Sequence, residues 1–219
     1  PEHGREERGI SRLALCAFGC HDHPMRDRPT IYFIRHGETD WNRDRRYQGQ
    51  RDIPLNDKGR AQARRNGRAL RAFLPAIGNA RFIASPLQRT RETMEIIRAE
   101  LELPVPDYQT DPNLIELSYG RWEGTLQDNL ATHDPEGLTA RQADPFRWRP
   151  HGGESYADLF ARVERWARAV TEDVVVVSHG GVSRCLRGHM LALDPLGIPD
   201  LESPQDRVLI LSNATMRWL

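Results

Sequence analysis

The chain has 219 residues, 38% of them hydrophobic, and its 31 Lys plus Arg are balanced by 31 Asp plus Glu. That length suits one domain with a sizeable core, and a formal net charge of zero leaves no global field favouring nucleic acid or an anionic membrane. No apolar run approaches the roughly 20 residues of a membrane-spanning helix, and Cys16, Cys20 and Cys185 cannot build a disulfide framework, so a reduced, cytoplasmic setting is expected.

Residues 1–28 are polar, rich in Arg and His, and without hydrophobic periodicity. They are expected to form a disordered, dispensable extension, with Met25 suited to an alternative start. The stretch 13–18 is short for a signal-peptide core and lacks a clear small-residue cleavage site. The spacing Cys16-x3-Cys20-His21-x-His23 admits a zinc reading, but it lacks tight Cys pairing and a second half with its own fold, so the plain tail is preferred. Lys58 is the only lysine, a bias that reflects coding composition rather than a binding surface.

Residues 29–219 read as a single domain. Ile31-Tyr32-Phe33-Ile34 is an apolar strand closing on Arg35-His36-Gly37. After a polar, Gly-containing loop, Asn56 or Asp57 caps a helix of about 58–74 that stops at Pro75. Residues 80–84 form the next strand, and Pro86 opens a helix carrying Arg89, Thr90 and Thr93. A short strand is expected near 113–117, then an irregular cap over 118–150. A helix of about 155–171 precedes the strand 173–178, Gly181 begins a helix to about 193, and 206–211 with 214–219 form a terminal hairpin. Strands alternating with helices argue for a three-layer α/β/α sandwich, its central sheet mostly parallel with helices on both faces.

The chemistry concentrates where strands end. Strand 31–35 delivers His36-Gly37, and about 140 residues later strand 173–178 delivers His179-Gly180-Gly181. In open α/β sheets that edge is where ligands bind, so two imidazoles are expected to meet there. With Arg35-His36-Gly37-Glu38-Thr39, Asn42, Gln48-Gly49, Ser85-Pro86-Leu87-Gln88-Arg89-Thr90, Glu116 and Ser178-His179-Gly180-Gly181 in this order, the chain resembles the histidine phosphatase superfamily, the phosphoglycerate mutase-like enzymes, from about residue 30 to its end.

The resemblance implies phosphoryl transfer through a phosphohistidine. That chemistry needs a nucleophile in line, cations on the equatorial oxygens and a proton for the leaving oxygen. His36 is the expected nucleophile, its other ring nitrogen donating to a backbone carbonyl, with Gly37 leaving room for the approach. Arg35, Arg89 and His179 are the expected clamp, since a guanidinium offers paired planar donors to phosphate oxygens, and amides at the start of the Arg89 helix can add to it. Glu116 is the expected general acid and later the base; a nearby phosphate disfavours its ionised form. Glu123 is the competing carboxylate and is read as shaping its loop. Asn42, Gln48, Gly49 and Gly180 are expected around the phosphate, with Thr39 and Glu38 as weaker candidates. Ser155 is read as a helix cap and Glu154 as ordering its loop.

No metal or cofactor is expected: His36, His179 and Glu116 could ligate a metal, but Arg35 and Arg89 would then face a cation. A non-catalytic phospho-ligand module would show loss of His36, Arg89, His179 or Glu116, and none is lost. Between phosphatase and cofactor-dependent phosphoglycerate mutase, the phosphatase is preferred. Leu117 rather than Arg follows Glu116, and the segment 118–150 has no lysine and no adjacent arginines, although Arg147 and Arg149 leave a carboxylate grip open. Tyr119, Trp122, Phe146 and Trp148 are read either as a wall for the substrate or as the cap's own core. The partner is a small phosphomonoester, with its identity and the oligomeric state left open.

Overall fold

The computed structural model of the protein describes residues 29–74, 77 and 80–219. The extension at 1–28, with Cys16 and Cys20, and Pro75 lie outside the described residues. The apolar runs become β1 (Ile31–Arg35), β2 (Arg81–Ala84), β3 (Gln109–Thr110), β4 (Val174–Ser178), β5 (Val208–Ser212) and β6 (Thr215–Trp218). They form one six-stranded sheet in the order β3-β2-β4-β1-β5-β6. The pairs β1–β4, β2–β4 and β2–β3 are parallel, and β5 and β6 add an antiparallel hairpin beside β1.

Two-sided burial explains why β1 and β4 are uninterrupted apolar runs rather than alternating ones. Ile31, Phe33, Val174 and Val176 join one core; Tyr32, Ile34, Val175 and Val177 join the other. The second face carries α2 (Asp57–Phe73) and α3 (Gln88–Glu100); the first carries α6 (Tyr156–Arg168) and α7 (Gly180–Met190). Two of these helices have a side-chain cap that fixes where they start. The Asn56 side chain accepts from Gly59 N ahead of α2, and Ser155 with Asp158 makes a reciprocal capping box ahead of α6. Along α6 the buried positions Tyr156, Leu159, Arg162, Val163 and Trp166 recur at three- and four-residue spacing, one stripe facing the sheet. The expected sandwich is the observed architecture.

Several boundaries differ from the sequence expectation. No strand covers 113–117: Pro112–Leu114 is a 3-10 turn, and the residues after it join no strand. The helix after Pro86 starts at Gln88, because Leu87 remains extended as its N-cap residue. The last long helix stops at Met190 rather than 193. The loop after β1 contains α1 (Asp40–Arg43), and the cap is partly ordered into α4 (Leu130–His133) and α5 (Pro135–Ala143), around a small core of Tyr47, Trp122 and Leu130, with Tyr119, Leu138 and Trp148 packed on it. Trp122 and Trp148 therefore belong to the cap's own core, and Phe146 belongs to the main one.

Candidate active site

The parallel strands β1, β4 and β2 end at one edge, and the register fixes what meets there. Arg35 stands opposite Ser178, His36 N donates to Ser178 O at 2.9 Å, and the ring centroids of His36 and His179 are 5.2 Å apart. Ser85, just past β2, reaches His179 Nε2 at 2.7 Å. A cavity of about 140 Å³ opens at this edge, lined by Arg35, His36, Asn42, Gln48, Gly49, Arg89, Glu116 and Gly180 from the expected set.

The His36 ring is fixed from both sides. Nδ1 lies 2.8 Å from Gly37 O, and Arg89 Nε donates toward Nε2 at 3.2 Å. Burial, then the charges of Arg89 and Arg35, hold the imidazole far below its ordinary range, so it is neutral at physiological pH. With Nδ1 carrying the proton to Gly37 O, the Nε2 lone pair accepts from Arg89 Nε at the wall of the cavity. The Gly37 requirement has a further cause: a Cβ there would collide with Gly59 O at the start of α2.

Arg89 is 1% exposed. Its guanidinium donates to Arg51 O at 2.7 Å and Gly49 O at 2.8 Å, and the Gln48 amide bridges Thr39 Oγ1 at 2.6 Å to Arg89 Nε at 2.7 Å. Burial lowers Arg89 to about 10 and, with Arg184 beside it, lowers Arg35 to about 10; both stay protonated at neutral pH. The first amide of α3 is already taken, because Gln88 N donates to Asp52 Oδ1 at 2.8 Å. Arg35 donates to Ser203 O at 2.6 Å, while Arg35 Nε and His179 Nδ1 are buried with no hydrogen-bond partner.

Glu116 enters from the loop after the 112–114 turn. Its carboxylate accepts from Leu117 N at 2.9 Å and Gly181 N at 3.2 Å. Glu123 is occupied elsewhere, accepting from Gln50 N and Tyr119 N and pairing with Arg51 at 3.3 Å; a Cβ on Gly49 would collide with it. Asn42 Oδ1 accepts from Gln205 Nε2 at 3.0 Å, and the same amide donates to His36 O at 3.1 Å. Thr39 caps α1. Glu38 is drawn away to Lys58 at 2.7 Å and does not line the cavity. Exposed Arg147 pairs with half-buried Asp144, and Arg149 with Asp158; neither arginine lines the cavity.

Arg46, Tyr47, Tyr119, Gln127 and Arg184 complete the lining; of these only Tyr119 is singled out by the sequence. Arg184 was findable, since it lies four residues after Gly180 on α7 and so shares its face. Four guanidiniums and one carboxylate thus surround the space, an anion site by charge. Among the described residues no group of three or more His, Cys, Asp and Glu is arranged to hold a metal ion, and no helix is long and apolar enough to cross a membrane.

The sheet edge thus holds an arginine-rich cavity around one carboxylate, with His36 in its wall and His179 buried beside it, and the chain belongs to the histidine phosphatase superfamily (branch 1), whose family model matches residues 31–218. Among individual relatives it is 36% identical over 169 residues, 74% of this chain and 75% of the other, to a Salmonella paratyphi C protein named "Probable phosphoglycerate mutase GpmB". The solved mycobacterial glucosyl-3-phosphoglycerate phosphatase is 28% identical, with a TM-score of 0.73 covering 87% of this chain and 96% of that one. The alpha-ribazole phosphatase of Shigella flexneri, 24% identical with a TM-score of 0.73 over 87% and 94%, shares the fold. Family and neighbours indicate phosphatase or mutase catalysis on a small phosphorylated substrate.

Proposed function

We propose that the domain 29–219 is a metal-independent phosphomonoesterase that works through a phosphohistidine on His36. The observation that carries this reading is the neutral, buried imidazole whose Nε2 lone pair faces Arg89 Nε at 3.2 Å in an arginine-lined cavity. A phosphate oxygen bound there would satisfy the buried Arg35 Nε, which lacks a partner, and with Ser85 Oγ donating to His179 Nε2 the unpartnered His179 Nδ1 carries the ring proton and becomes a second donor. His36 Nε2 attacks phosphorus, the N–P bond forms, and the ester P–O bond breaks as Glu116 gives its proton to the leaving oxygen. Water then attacks phosphorus, Glu116 takes its proton, and the N–P bond breaks to release phosphate. The arginines supply the positive charge that a metal provides elsewhere. A cytoplasmic setting accompanies this reading.

Hydrolysis is favoured over isomerisation because Arg147 and Arg149 are engaged at the surface and Leu117 follows Glu116. The mutase reading is kept by the name of the Salmonella relative. The deciding measurement is phosphate release from p-nitrophenyl phosphate in excess EDTA, with His36→Ala as control. Release by the wild type, with a loss of at least about a thousandfold in a folded His36→Ala, supports the phosphatase. Activity of the variant within about tenfold of wild type removes His36 as nucleophile. Phosphoglycerate isomerisation outrunning hydrolysis would install the mutase.

A further inference from the structure

The loop that carries Glu116 is held by one turn of α6 and the residue just before its cap. Arg162 donates from Nη1 to Asn113 O at 2.7 Å and from Nη2 to Glu116 O at 3.1 Å, while its guanidinium pairs with Glu154 at 3.2 Å. Glu154 Oε2 in turn accepts from Ser118 N at 2.9 Å, and Glu154 N donates to Ser118 O at 2.9 Å. Residues 113, 116 and 118 are thereby fixed by two neighbouring side chains. Gln50 Nε2 adds a second bond to Glu116 O at 3.0 Å.

The peptide between Glu116 and Leu117 is the critical piece. Its carbonyl is the oxygen held by Arg162 and Gln50, and its N–H is the donor held by the Glu116 carboxylate at 2.9 Å. A peptide is planar, so fixing the direction of the carbonyl fixes the direction of the N–H, and with it the carboxylate. A buried ion pair is a weak source of stability, often matched by apolar residues of the same volume. A planar fork aimed at two carbonyls three residues apart is something an apolar side chain cannot supply.

We propose that Arg162, braced by Glu154, is a positioning residue for the acid: it sets the plane of the 116–117 peptide and through it the aim of Glu116 into the cavity. This rests on the reading of Glu116 as the proton donor. Its signature is selectivity for the leaving group, because an alkoxide needs the proton and p-nitrophenolate hardly does.

The test compares kcat/KM for a simple alkyl phosphate and for p-nitrophenyl phosphate in wild type, Arg162→Lys, Arg162→Gln, Glu116→Gln and the Arg162→Gln/Glu116→Gln double variant. Arg162→Lys keeps the charge beside Glu154 but loses the fork, so it decides the matter should Arg162→Gln fail to fold. With either variant the alkyl ester is expected to lose about 10- to 100-fold and the aryl ester less than about threefold. Competitive inhibition by inorganic phosphate should stay within about twofold, and the double variant should fall no further than Glu116→Gln on the alkyl ester, since the two act as one unit. Equal losses on both esters, weakened phosphate inhibition, or multiplying effects in the double variant would overturn the proposal, placing Arg162 in the fold or the phosphate clamp. Should Glu116→Gln alone show no leaving-group selectivity, the acid assignment itself fails and the proposal with it, an outcome read in a variant that leaves Arg162 in place.

Discussion

Arg89 sits 1% exposed with no carboxylate in ion-pair contact among the described residues, its donors spent on two carbonyls, a Gln amide and a neutral imidazole. A buried unpaired charge is costly to fold, so the fold retains here a cation whose natural counter-charge is the ligand. Gly181 makes the complementary point about the acid. A Cβ there would stand 2.5 Å from Glu116 Oε1 and 2.9 Å from Leu159 Cδ2, so Gly181→Ala should push the carboxylate off its amide. In a helix Ala is favoured over Gly by about 0.8–1 kcal/mol, which offsets the crowding of a movable side chain. The expected outcome is a melting temperature near wild type with alkyl-ester kcat/KM down at least about tenfold; unchanged turnover would detach Gly181 from the acid. At this scale the sequence was readable where a residue lay in a local motif. Arg89 and His179 each follow a strand and stand in a recognisable run. Arg46 was not, because in an arginine-rich chain one more loop arginine carries no local mark, and only the folded edge brings it to the cavity; Arg184 is marked only by its four-residue spacing from Gly180.

The cap shows what an element needs to be legible. Its helices α4 and α5 are short, and α5 buries none of its residues, so no periodic apolar stripe announced it. The expectation of an irregular segment failed for that reason. The expected strand near 113–117 failed differently: Leu114 and Leu117 are buried, but the backbone there is held by Arg162, Glu154 and the Ser178 hydroxyl rather than by a neighbouring strand. By contrast α2 and α6 carry side-chain caps and β1 and β4 long apolar runs, which make them plain in the sequence. Cohesion of the cap rests on Trp122, fully buried against Tyr47 and Trp148 with its indole N–H donating to Asp134 at 2.8 Å. Trp122→Ala should cost about 3–5 kcal/mol by denaturant titration and raise KM, since Tyr47 and Tyr119 against which it packs also line the cavity. A loss under about 1 kcal/mol would mean that the cap is held by something else.

For the molecule as a whole, the two central imidazoles make folding pH-dependent in a definite direction. His36 and His179 are both held well below their ordinary range, by burial first and then by Arg89, whereas in the unfolded chain they titrate near about 6.5. Between those limits the unfolded chain binds more protons. Stability is therefore fully present above about pH 6.5 and is lost on acidification below it, by up to about 1.4 kcal/mol per pH unit for each histidine. Denaturant midpoints in phosphate-free buffer between about pH 7.5 and 5.5 check this, and His36→Gln should remove about half of the slope; an unchanged slope would assign it to other groups. The sheet order has a consequence of another kind. The strand that leads into His36 finds both neighbours, β4 and β5, far downstream, and the tie at the start of its pairing, Thr30 to Asp173, spans 143 residues. At about 5–20 residues per second of synthesis, that strand waits on the order of 10 s on the ribosome before its partner exists. A chain cut short anywhere before β4 lacks the edge on which the two imidazoles meet, so incomplete products of translation carry the His36 motif without the means to use it.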